Sequence, residues 1–185
     1  MKHTGTVEII TERLLLRPFQ MEDANAMFNN WANDEDVVRY MTWLPHKNVD
    51  LTQSIIEVWV NKYNQDNYYQ WAICFKDKPK SPIGSFSIIS IDEQIKAFEV
   101  GYCIGKKWWG QGIITEAFNE VIQLSFNQIG ANRIFAYHHI DNPSSGRVME
   151  KCGLQKEGHL REVALNNQGE LIDLILYSVL ASDKF

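Results

Sequence analysis

The feature that most constrains this chain is the segment K-W-W-G-Q-G-I-I-T-E, residues 107–116, which joins a strand-like run to an apolar-periodic one. The run before it, A-F-E-V-G-Y-C-I over residues 97–104, predicts a strand, and the residues after it predict a helix. Unpaired backbone N–H groups and the helix dipole favour an anion at such a helix start. Gly110 and Gly112 let the main chain approach a phosphate because they have no Cβ, and Lys107 adds a positive charge. The segment therefore predicts a phosphate-binding turn, with a tight turn that binds no ligand as the alternative.

Two common phosphate-binding motifs do not fit this segment. A Walker A loop has the pattern G-x-x-x-x-G-K-[ST], and no lysine follows Gly112. A dinucleotide-binding fingerprint has the pattern G-x-G-x-x-G, and Thr115 occupies the place of its third glycine. A nucleotide-binding domain is therefore a weak alternative.

The segment resembles the acetyl-CoA motif of the GNAT N-acetyltransferases, [RQ]-x-x-G-x-[GA], with Lys107 in place of the commoner arginine or glutamine. Three stretches are similar to the ribosomal-protein acetyltransferase (RimJ/RimL-like) branch of that family: W-G-Q-G-I-I-T-E-A over 109–117, N-P-S-S-G-R-V-M-E-K-C-G-L over 142–154, and T-E-R-L-L-L-R-P-F over 11–19. They lie in the family's order, and the resemblance covers nearly the whole chain. It implies a GNAT fold, acetyl-CoA as co-substrate and transfer of an acetyl group to an amine.

Composition and charge narrow the class of protein further. The chain has 185 residues, of which 45% are hydrophobic and 22% charged, and its net charge is −5. This size indicates one soluble domain over residues 1–185, and the acidic balance argues against nucleic acid as a partner. No run of about 18 apolar residues is present, so no membrane segment is expected. The three cysteines form no C-x-x-C pair, which indicates a reducing cytoplasm and no zinc or redox motif.

Hydrophobic periodicity predicts a mixed α/β fold. Expected strands lie at 13–19, 69–76, 83–91, 96–104, 133–139, 155–165 and 170–180, and expected helices at 23–32, 36–41, 52–63, 113–128 and 142–151. Asn142-Pro143 signals a helix start, and Asn166 to Gly169 signals a hairpin turn. The order β-α-α-β-β-β-α-β-α-β-β is also the one that the GNAT resemblance implies, with a mostly antiparallel sheet splayed around the acyl-CoA site and flanked by helices.

The resemblance assigns the cofactor contacts to the turn, to the strand before it and to the helix that starts at Asn142. The residues expected to contact the pyrophosphate or the pantetheine arm are Tyr102, Cys103, Ile104, Lys107, Gly110, Gln111, Gly112, Ile113, Thr115, Asn142 and Ser145. Gly101 lies inside the strand pattern, where glycine marks a bulge or a close backbone approach. By resemblance, this strand separates from its neighbour and the pantetheine arm pairs with it, whereas an incidental bulge is the alternative. Asn142 has a second explanation as a helix N-cap, and one side chain can do both.

Two residues are the main candidates for the chemistry. An alkylammonium has a pKa of about 10, so an amine must lose a proton before it attacks a thioester. By resemblance, Glu99 faces the acceptor amine and takes that proton directly or through water, whereas an ordinary solvent-facing strand residue is the alternative. The leaving group is a thiolate, and the helix after Asn142 has no tyrosine to protonate it. Ser145 occupies the serine position of the branch motif and is expected to hydrogen-bond to the thiolate.

Several other residues are weaker candidates. Given the splayed strand, a backbone N–H near Cys103 or Ile104 is expected to stabilise the oxyanion. Acylation of Cys103 itself is disfavoured, because free cysteines are mostly buried hydrophobes. His138 and His139 end a strand and are alternative bases, although two surface histidines are the simpler explanation.

The acceptor is the least determined partner. It is expected to be a primary amine, either a protein N-terminus or a small molecule. The sequence also leaves open whether the protein forms a homodimer. The turn Trp43-Leu44-Pro45 is the best candidate for a wall of the acceptor pocket, because loops carry specificity on a rigid scaffold. The main alternative function is a non-catalytic acyl-CoA-binding sensor or partner-binding module, against which the presence of both Glu99 and Ser145 argues.

Overall fold

The structure, a computed structural model, describes residues 1–183. Its strands are β1 (Ile9–Ile10), β2 (Leu14–Pro18), β3 (Gln70–Phe75), β4 (Gly84–Asp92), β5 (Ala97–Ile104), β6 (Arg133–His139), β7 (Gln155–Leu165) and β8 (Leu171–Leu180). Its α-helices are α1 (Ala24–Met27), α2 (Glu35–Val38), α3 (Val49–Val60), α4 (Ile113–Leu124) and α5 (Pro143–Lys151). Short 3₁₀ turns cover Met21–Asp23 and Lys106–Trp108, and π-type turns cover Phe28–Ala32 and Ser125–Ile129.

The strands of residues 1–183 form one sheet in the order β1-β2-β3-β4-β5-β6-β8-β7. Neighbouring strands are antiparallel, except that β5 and β6 run parallel. The predicted mixed, mostly antiparallel sheet is thereby confirmed. Strand β1 was not predicted, because two residues are too few to show a period.

Alternation along the strands places one apolar cluster on each face of the sheet. The first cluster contains Phe98 and Val100 and is covered by α4 and α5. The second contains Ala72 and Cys103 and is covered by α1, α2 and α3. Strand β5 therefore presents Phe98 and Val100 to the first cluster and Cys103 to the second.

Helix ends differ from the prediction at several positions. The expected helix at 23–32 is divided between a 3₁₀ turn, α1 and a π-type turn. Helix α3 begins at Val49 because Asn48 caps it, its Oδ1 accepting a hydrogen bond from Leu51 N at 3.0 Å. Helix α4 passes into a π-type turn that ends at Gly130, whose φ of 83° suits a glycine C-cap.

Strands β5 and β6 separate near the middle of the sheet. They share three paired positions, the last of which joins Glu99 to Phe135. Strand β5 nevertheless runs on to Ile104, and β6 runs on to His139. A gap therefore opens between the strand ends that lead into α4 and α5, which confirms the separation that the resemblance implied.

A β-bulge in β4 shapes the sheet beside this gap. The register shifts between Ile88 and Ser90, so Ile89 is the extra residue. The Ile89 side chain lies over Gly101, where an added Cβ would come within 2.6 Å of Ile89 Cδ1. Gly101 therefore makes room for a neighbouring side chain, a reason that the sequence did not indicate.

Candidate active site

The turn between β5 and α4 has the backbone of an anion-binding site. Gly110 and Gly112 have φ angles of 72° and 74°, in the left-handed region that glycine adopts without strain. Gly112 is the N-cap of α4, and Glu116 N donates to Gly112 O at 3.0 Å. The N–H groups of the turn before Glu116 have no partner within the helix and point out of its end. A Cβ at Gly110 would meet nothing within 4 Å, so the space in front of the turn is open to a phosphate.

Arg13 and Glu116 hold this turn against the segment that precedes β2. Arg13 Nε donates to Glu116 Oε2 at 2.6 Å, while Arg13 N and Thr11 Oγ1 both donate to Oε1. Burial raises the pKa of Glu116, but the hydrogen bonds from Thr11 and Arg13 outweigh burial and leave the pKa below its usual value. Arg13 Nη1 also donates to Gln111 O at 3.2 Å. Sequence reasoning missed Arg13 as a site residue, although it lies in the T-E-R stretch that carried the resemblance.

The other predicted residues of the turn act through their backbone or lie at its edge. Ile113 is buried in the core below α4, so only its N–H is available to a ligand. Gln111 Nε2 donates to Lys107 O at 3.0 Å, which braces the turn. Lys107 is exposed, with its Nζ 5.7 Å from the centre of the Trp108 ring, and its ammonium is free to reach a phosphate in front of the turn. Trp108 packs against the core.

The register of β5 decides which of its main-chain groups face the gap. Gly105 N donates to the carbonyl that precedes β4 at 3.0 Å. Because hydrogen-bonding direction alternates along an antiparallel strand, Cys103 directs its backbone groups to β4, and Tyr102 and Ile104 direct theirs to the gap. Of the two N–H groups suggested for the oxyanion, only that of Ile104 faces the gap. The Ile104 carbonyl accepts a hydrogen bond from Trp109 Nε1 at 2.9 Å.

Glu99 lies where the gap begins, on the sheet face opposite Phe98. It is partly exposed, and Ser90 Oγ donates to its Oε2 at 2.9 Å. Phe135 is its partner on β6, and Tyr137 lies two residues further along on the same face. Burial raises the pKa of Tyr137, and the nearby charge of Glu99 raises it further. Glu99 therefore has a fixed orientation, aromatic neighbours and access from outside.

Helix α5 brings Asn142 and Ser145 to the other side of the gap. Asn142 Oδ1 accepts a hydrogen bond from Ser145 N at 3.4 Å, and Pro143 is the first helical residue, so the N-cap explanation of Asn142 is confirmed. Ser145 Oγ lies 2.8 Å from Tyr102 Oη. Sequence reasoning placed Tyr102 among the cofactor contacts and missed this hydroxyl pair, because strand alternation does not show how far a phenol reaches.

The two neighbouring histidines lie on opposite faces of β6. His138 packs against Gly146, where an added Cβ would come within 2.7 Å of its Nε2. Burial lowers the pKa of His138, and its side chain lies on the α5 side of the sheet. His139 is on the face of Glu99, with its ring centre 5.1 Å from that of Tyr40. Of the two histidines, only His139 shares the face of Glu99.

All three cysteines are free and buried. Burial raises the pKa of Cys103 and of Cys152 to about 12, and that of Cys74 to about 11. Cys152 Sγ donates to Thr115 O at 3.6 Å, which ties α5 to the first turn of α4. The thiol of Cys103 is therefore protonated at neutral pH and unsuited to carrying an acyl group. Residues 1–183 contain no cluster of side chains that could hold a metal ion.

Contacts between segments that are distant in the chain enclose the sheet face that holds Glu99, which we call the acceptor side. Asn167, in the β7–β8 turn, donates from Nδ2 to Val38 O at 3.2 Å and to Trp43 O at 3.3 Å. The contact of Tyr40 with His139 joins the same loop to β6. Trp43 was predicted as a wall of the acceptor pocket, and its loop lies on this side of the sheet.

A glycine turn with the backbone of an anion-binding site, beside a split pair of parallel strands, is the arrangement expected of a protein that binds a phosphate-bearing carrier. Residues 13–155 match the family model described as acetyltransferase (GNAT) domain, and the chain belongs to the GNAT acetyltransferase family. The uncharacterized N-acetyltransferase YoaA of Bacillus subtilis is 32% identical over 169 residues, which cover 91% of this chain and 94% of YoaA. The [ribosomal protein uS5]-alanine N-acetyltransferase of Escherichia coli is 25% identical over 185 residues, covering 96% of this chain and 92% of that enzyme.

Solved structures agree with the family assignment. A GNAT-family acetyltransferase from Bacillus anthracis superimposes with a TM-score of 0.82 at 22% identity, covering 96% of this chain and all (100%) of that one. The microcin C7 self-immunity acetyltransferase MccE, solved with acetyl-CoA and AMP, has a TM-score of 0.80 at 25% identity, covering 91% of this chain and 93% of that one. The predicted family, its ribosomal-protein acetyltransferase likeness, the N-acetyltransferase class and acetyl-CoA as co-substrate are thereby confirmed. Within residues 1–183, no helix has the length and apolarity needed to span a membrane.

Proposed function

We propose that the protein transfers the acetyl group of acetyl-CoA to a primary amine, by direct attack of the amine in a complex that holds both substrates. The observation that carries this proposal is the gap that opens between β5 and β6 just beyond Glu99. The gap leads to the open turn between β5 and α4, and the Glu99 carboxylate lies where the gap begins, on the sheet face opposite Phe98. A thioester carbonyl bound along β5 would therefore lie between a backbone donor at Ile104 and a base at Glu99.

In this mechanism Glu99 removes a proton from the bound ammonium. A free alkylammonium has a pKa of about 10, so very little neutral amine is present at pH 7. The hydrogen bond from Ser90 fixes the carboxylate, and partial exposure lets a substrate or one water reach it. General-base catalysis by a placed side chain contributes about 10²–10⁴ to a rate, so Glu99 is the residue with the largest expected role.

Direct transfer is favoured over an acyl-enzyme route by the state of the cysteines. Cys103 is the thiol nearest the gap, but its side chain points into the buried cluster under α1 to α3. Its pKa of about 12 leaves almost no thiolate at neutral pH. A ternary complex with a neutral amine as nucleophile needs no such thiolate.

The acceptor that the site supports best is the amino group of a protein N-terminus. The likeness to a ribosomal-protein alanine N-acetyltransferase supports this choice. The acceptor side is bounded by a loop and a hairpin that Asn167 joins, and this boundary suits a chain end better than a side chain in the middle of a folded surface. The net charge of −5 also favours the approach of a cationic amine.

A non-catalytic acyl-CoA sensor is the second candidate. It would keep the turn and the gap but would need neither Glu99 nor Ser145. The experiment is therefore a turnover assay with acetyl-CoA in which free thiol is detected as CoA is released. The acceptors to compare are a peptide that begins with alanine, the same peptide with a blocked N-terminus and one internal lysine, free alanine and a polyamine.

We expect thiol release with the alanine peptide and much less with the blocked peptide. Release with the polyamine or free alanine alone would replace the protein N-terminus by a small-molecule amine. Calorimetry with acetyl-CoA, ATP and NAD separates the remaining cases. Binding of acetyl-CoA without turnover on any amine supports the sensor, and preferential binding of ATP or NAD overturns the acyl-CoA site itself. Light scattering on the same samples tests whether the protein forms a homodimer.

A further inference from the structure

Helix α5 lacks a tyrosine near its start, yet a phenol reaches the same place from another element. Tyr102 on β5 extends across the gap to the first turn of α5. Its Oη lies 2.8 Å from Ser145 Oγ and 3.1 Å from Ser145 O. The Ser145 hydroxyl, which the sequence motif presents alone, is therefore paired with the hydroxyl of Tyr102.

The phenol of Tyr102 is held firmly in this position. Its ring centre is 5.8 Å from that of Phe86 and 5.8 Å from that of Phe118, so aromatic neighbours on β4 and α4 fix the ring. Burial raises the pKa of Tyr102, so its hydroxyl keeps its proton and acts as a hydrogen-bond donor. The phenol has one proton and two acceptors within reach, the Ser145 carbonyl at 3.1 Å and Ser145 Oγ at 2.8 Å, and we assign the proton to the shorter contact.

A donor on Ser145 Oγ determines where the serine proton points. A serine hydroxyl rotates freely and has one proton and two lone pairs. When Tyr102 Oη–H occupies one lone pair, the Ser145 proton is directed away from Tyr102 and is left for another acceptor. A hydroxyl that accepts one hydrogen bond is also a better donor in the next, because chains of hydrogen bonds polarise one another.

We propose that Tyr102 is a positioning residue for the reaction, whose hydroxyl orients Ser145 so that Ser145 Oγ–H donates to the sulfur that leaves acetyl-CoA. The inference rests on the proposed function. The amine nitrogen forms a bond to the acetyl carbon, the carbon–sulfur bond breaks, and its electron pair stays on sulfur as the CoA thiolate. Glu99 takes the first proton of the bound ammonium and passes it to solvent, then takes the second proton, which the nitrogen loses as the amide forms, and no proton leaves Tyr102 or Ser145. The pair stabilises the thiolate by a hydrogen bond, and solvent protonates the thiolate after release.

The competing explanation is that Tyr102 merely tethers α5 to the sheet, and the structure contains a matched tether. Tyr177 on β8 donates from its hydroxyl to Glu150 Oε1 at 2.9 Å, and Glu150 belongs to the same helix. Tyr177→Phe therefore removes a phenol-to-α5 hydrogen bond without touching Ser145. It is the control for Tyr102→Phe.

The decisive measurement is the acidity of the thiol of CoA bound to the protein, followed by ultraviolet thiolate absorbance against pH. The same protein titrated without CoA gives the contribution of its own cysteines, whose pKa values burial raises to about 11 for Cys74 and about 12 for Cys103 and Cys152. Hydrogen bonds to charged groups contribute about 1.5–3 kcal/mol, so removing the serine donor should raise the thiol pKa by about one to two units. We expect a rise of this size in Ser145→Ala, a rise about half as large in Tyr102→Phe, and none in Tyr177→Phe.

Turnover gives the second readout. Tyr102→Phe should lower kcat about tenfold with KM for acetyl-CoA nearly unchanged, and it should have no further effect in a Ser145→Ala background. The proposal is overturned if Tyr102→Phe leaves the bound thiol pKa unchanged, or if Tyr177→Phe raises it equally. If Tyr102→Phe fails to fold, 3-fluorotyrosine at position 102 replaces it, because this residue keeps the ring and is a stronger hydrogen-bond donor. The pKa of the bound CoA thiol should then fall, and an unchanged pKa overturns the proposal. The titration uses CoA alone, so it remains informative even if no amine is acetylated and the proposed function fails.

Discussion

The cofactor side and the acceptor side of this site are built by different means. On the cofactor side, ten consecutive residues, 107–116, supply a turn whose backbone N–H groups and two left-handed glycines are the proposed phosphate contacts. On the acceptor side, Glu99, His139 and Asn167 come from three strands or turns that are far apart in the chain. Backbone chemistry depends on local conformation, whereas a side-chain constellation depends on the whole fold. Substitutions on the two sides should therefore fail in different ways.

The largest expected effect lies on the acceptor side, at Glu99. Glu99→Gln should lower kcat by about 10²–10⁴, because the amide cannot take the proton of the ammonium. The acidic limb of the kcat profile against pH should flatten or move, while calorimetry should find acetyl-CoA binding nearly unchanged. Ser90→Ala, which removes only the hydroxyl on Oε2, is the mild control and should cost far less. A Glu99→Gln variant with ordinary turnover would move the role of base to His139 or to bulk water.

The next effect lies on the cofactor side, at Gly112. Gly112→Val places a branched residue at a φ of 74° and a side chain where the phosphate approaches, so acetyl-CoA should bind about 10–100-fold more weakly with the fold retained. Gly130→Val is the matched control, because Gly130 has a φ of 83° at the far end of the same helical segment. Both variants should lose similar stability, but only the first should lose affinity in calorimetry. Equal affinities in the two would show that the phosphate lies elsewhere.

A smaller effect on the acceptor side tests whether the boundary at Asn167 matters. Asn167→Ala removes both hydrogen bonds to the carbonyls of Val38 and Trp43. KM for the acceptor should change by about two- to tenfold, in keeping with the loss of one or two hydrogen bonds, while the Kd for acetyl-CoA stays constant. Asn127→Ala is the control, since Asn127 bonds only to Gln123 on the exposed end of the α4 segment. A change in acetyl-CoA affinity would mean that the two sides are not independent.

The smallest effect is on stability, and it concerns Glu157 near the start of β7, away from the β7–β8 turn that holds Asn167. Hydrogen bonds from Arg133 and Ser178 hold the pKa of Glu157 down to about 2. Since the folded-state pKa is depressed, Glu157 contributes stability above its unfolded pKa of about 4.3, and the contribution is lost as pH falls toward 2. Wild type should therefore lose slightly more unfolding free energy than Glu157→Gln between about pH 5 and pH 2. Urea unfolding at the two pH values measures this, and identical losses would remove Glu157 from the stabilising contacts of the β7–β8 hairpin.

The contrast between the two sides also explains which features of the structure could be predicted from the sequence. Seven of the eight strands could be predicted from period-two alternation. The phosphate-binding turn could also be predicted, because the conformations of Gly110 and Gly112 and the start of α4 are local properties. The start of α3 was misplaced although its signal, Asn48 as N-cap, was present. The division of the first helix had no such signal, because a π-type turn keeps the same apolar face as an α-helix.

The sequence by itself determined the family, the order of strands and helices, and the glycine turn before α4, because each depends on residues close together in the chain. Only the tertiary structure decided which histidine faces the acceptor, since neighbouring residues of a strand point to opposite faces and the sequence does not say which face is which. It also decided that Arg13 braces the turn through Glu116, and that Tyr102 meets Ser145 across the gap. These contacts join residues that are 103 and 43 positions apart, so their geometry depends on how the sheet splits and how the helices pack, and no local pattern encodes it.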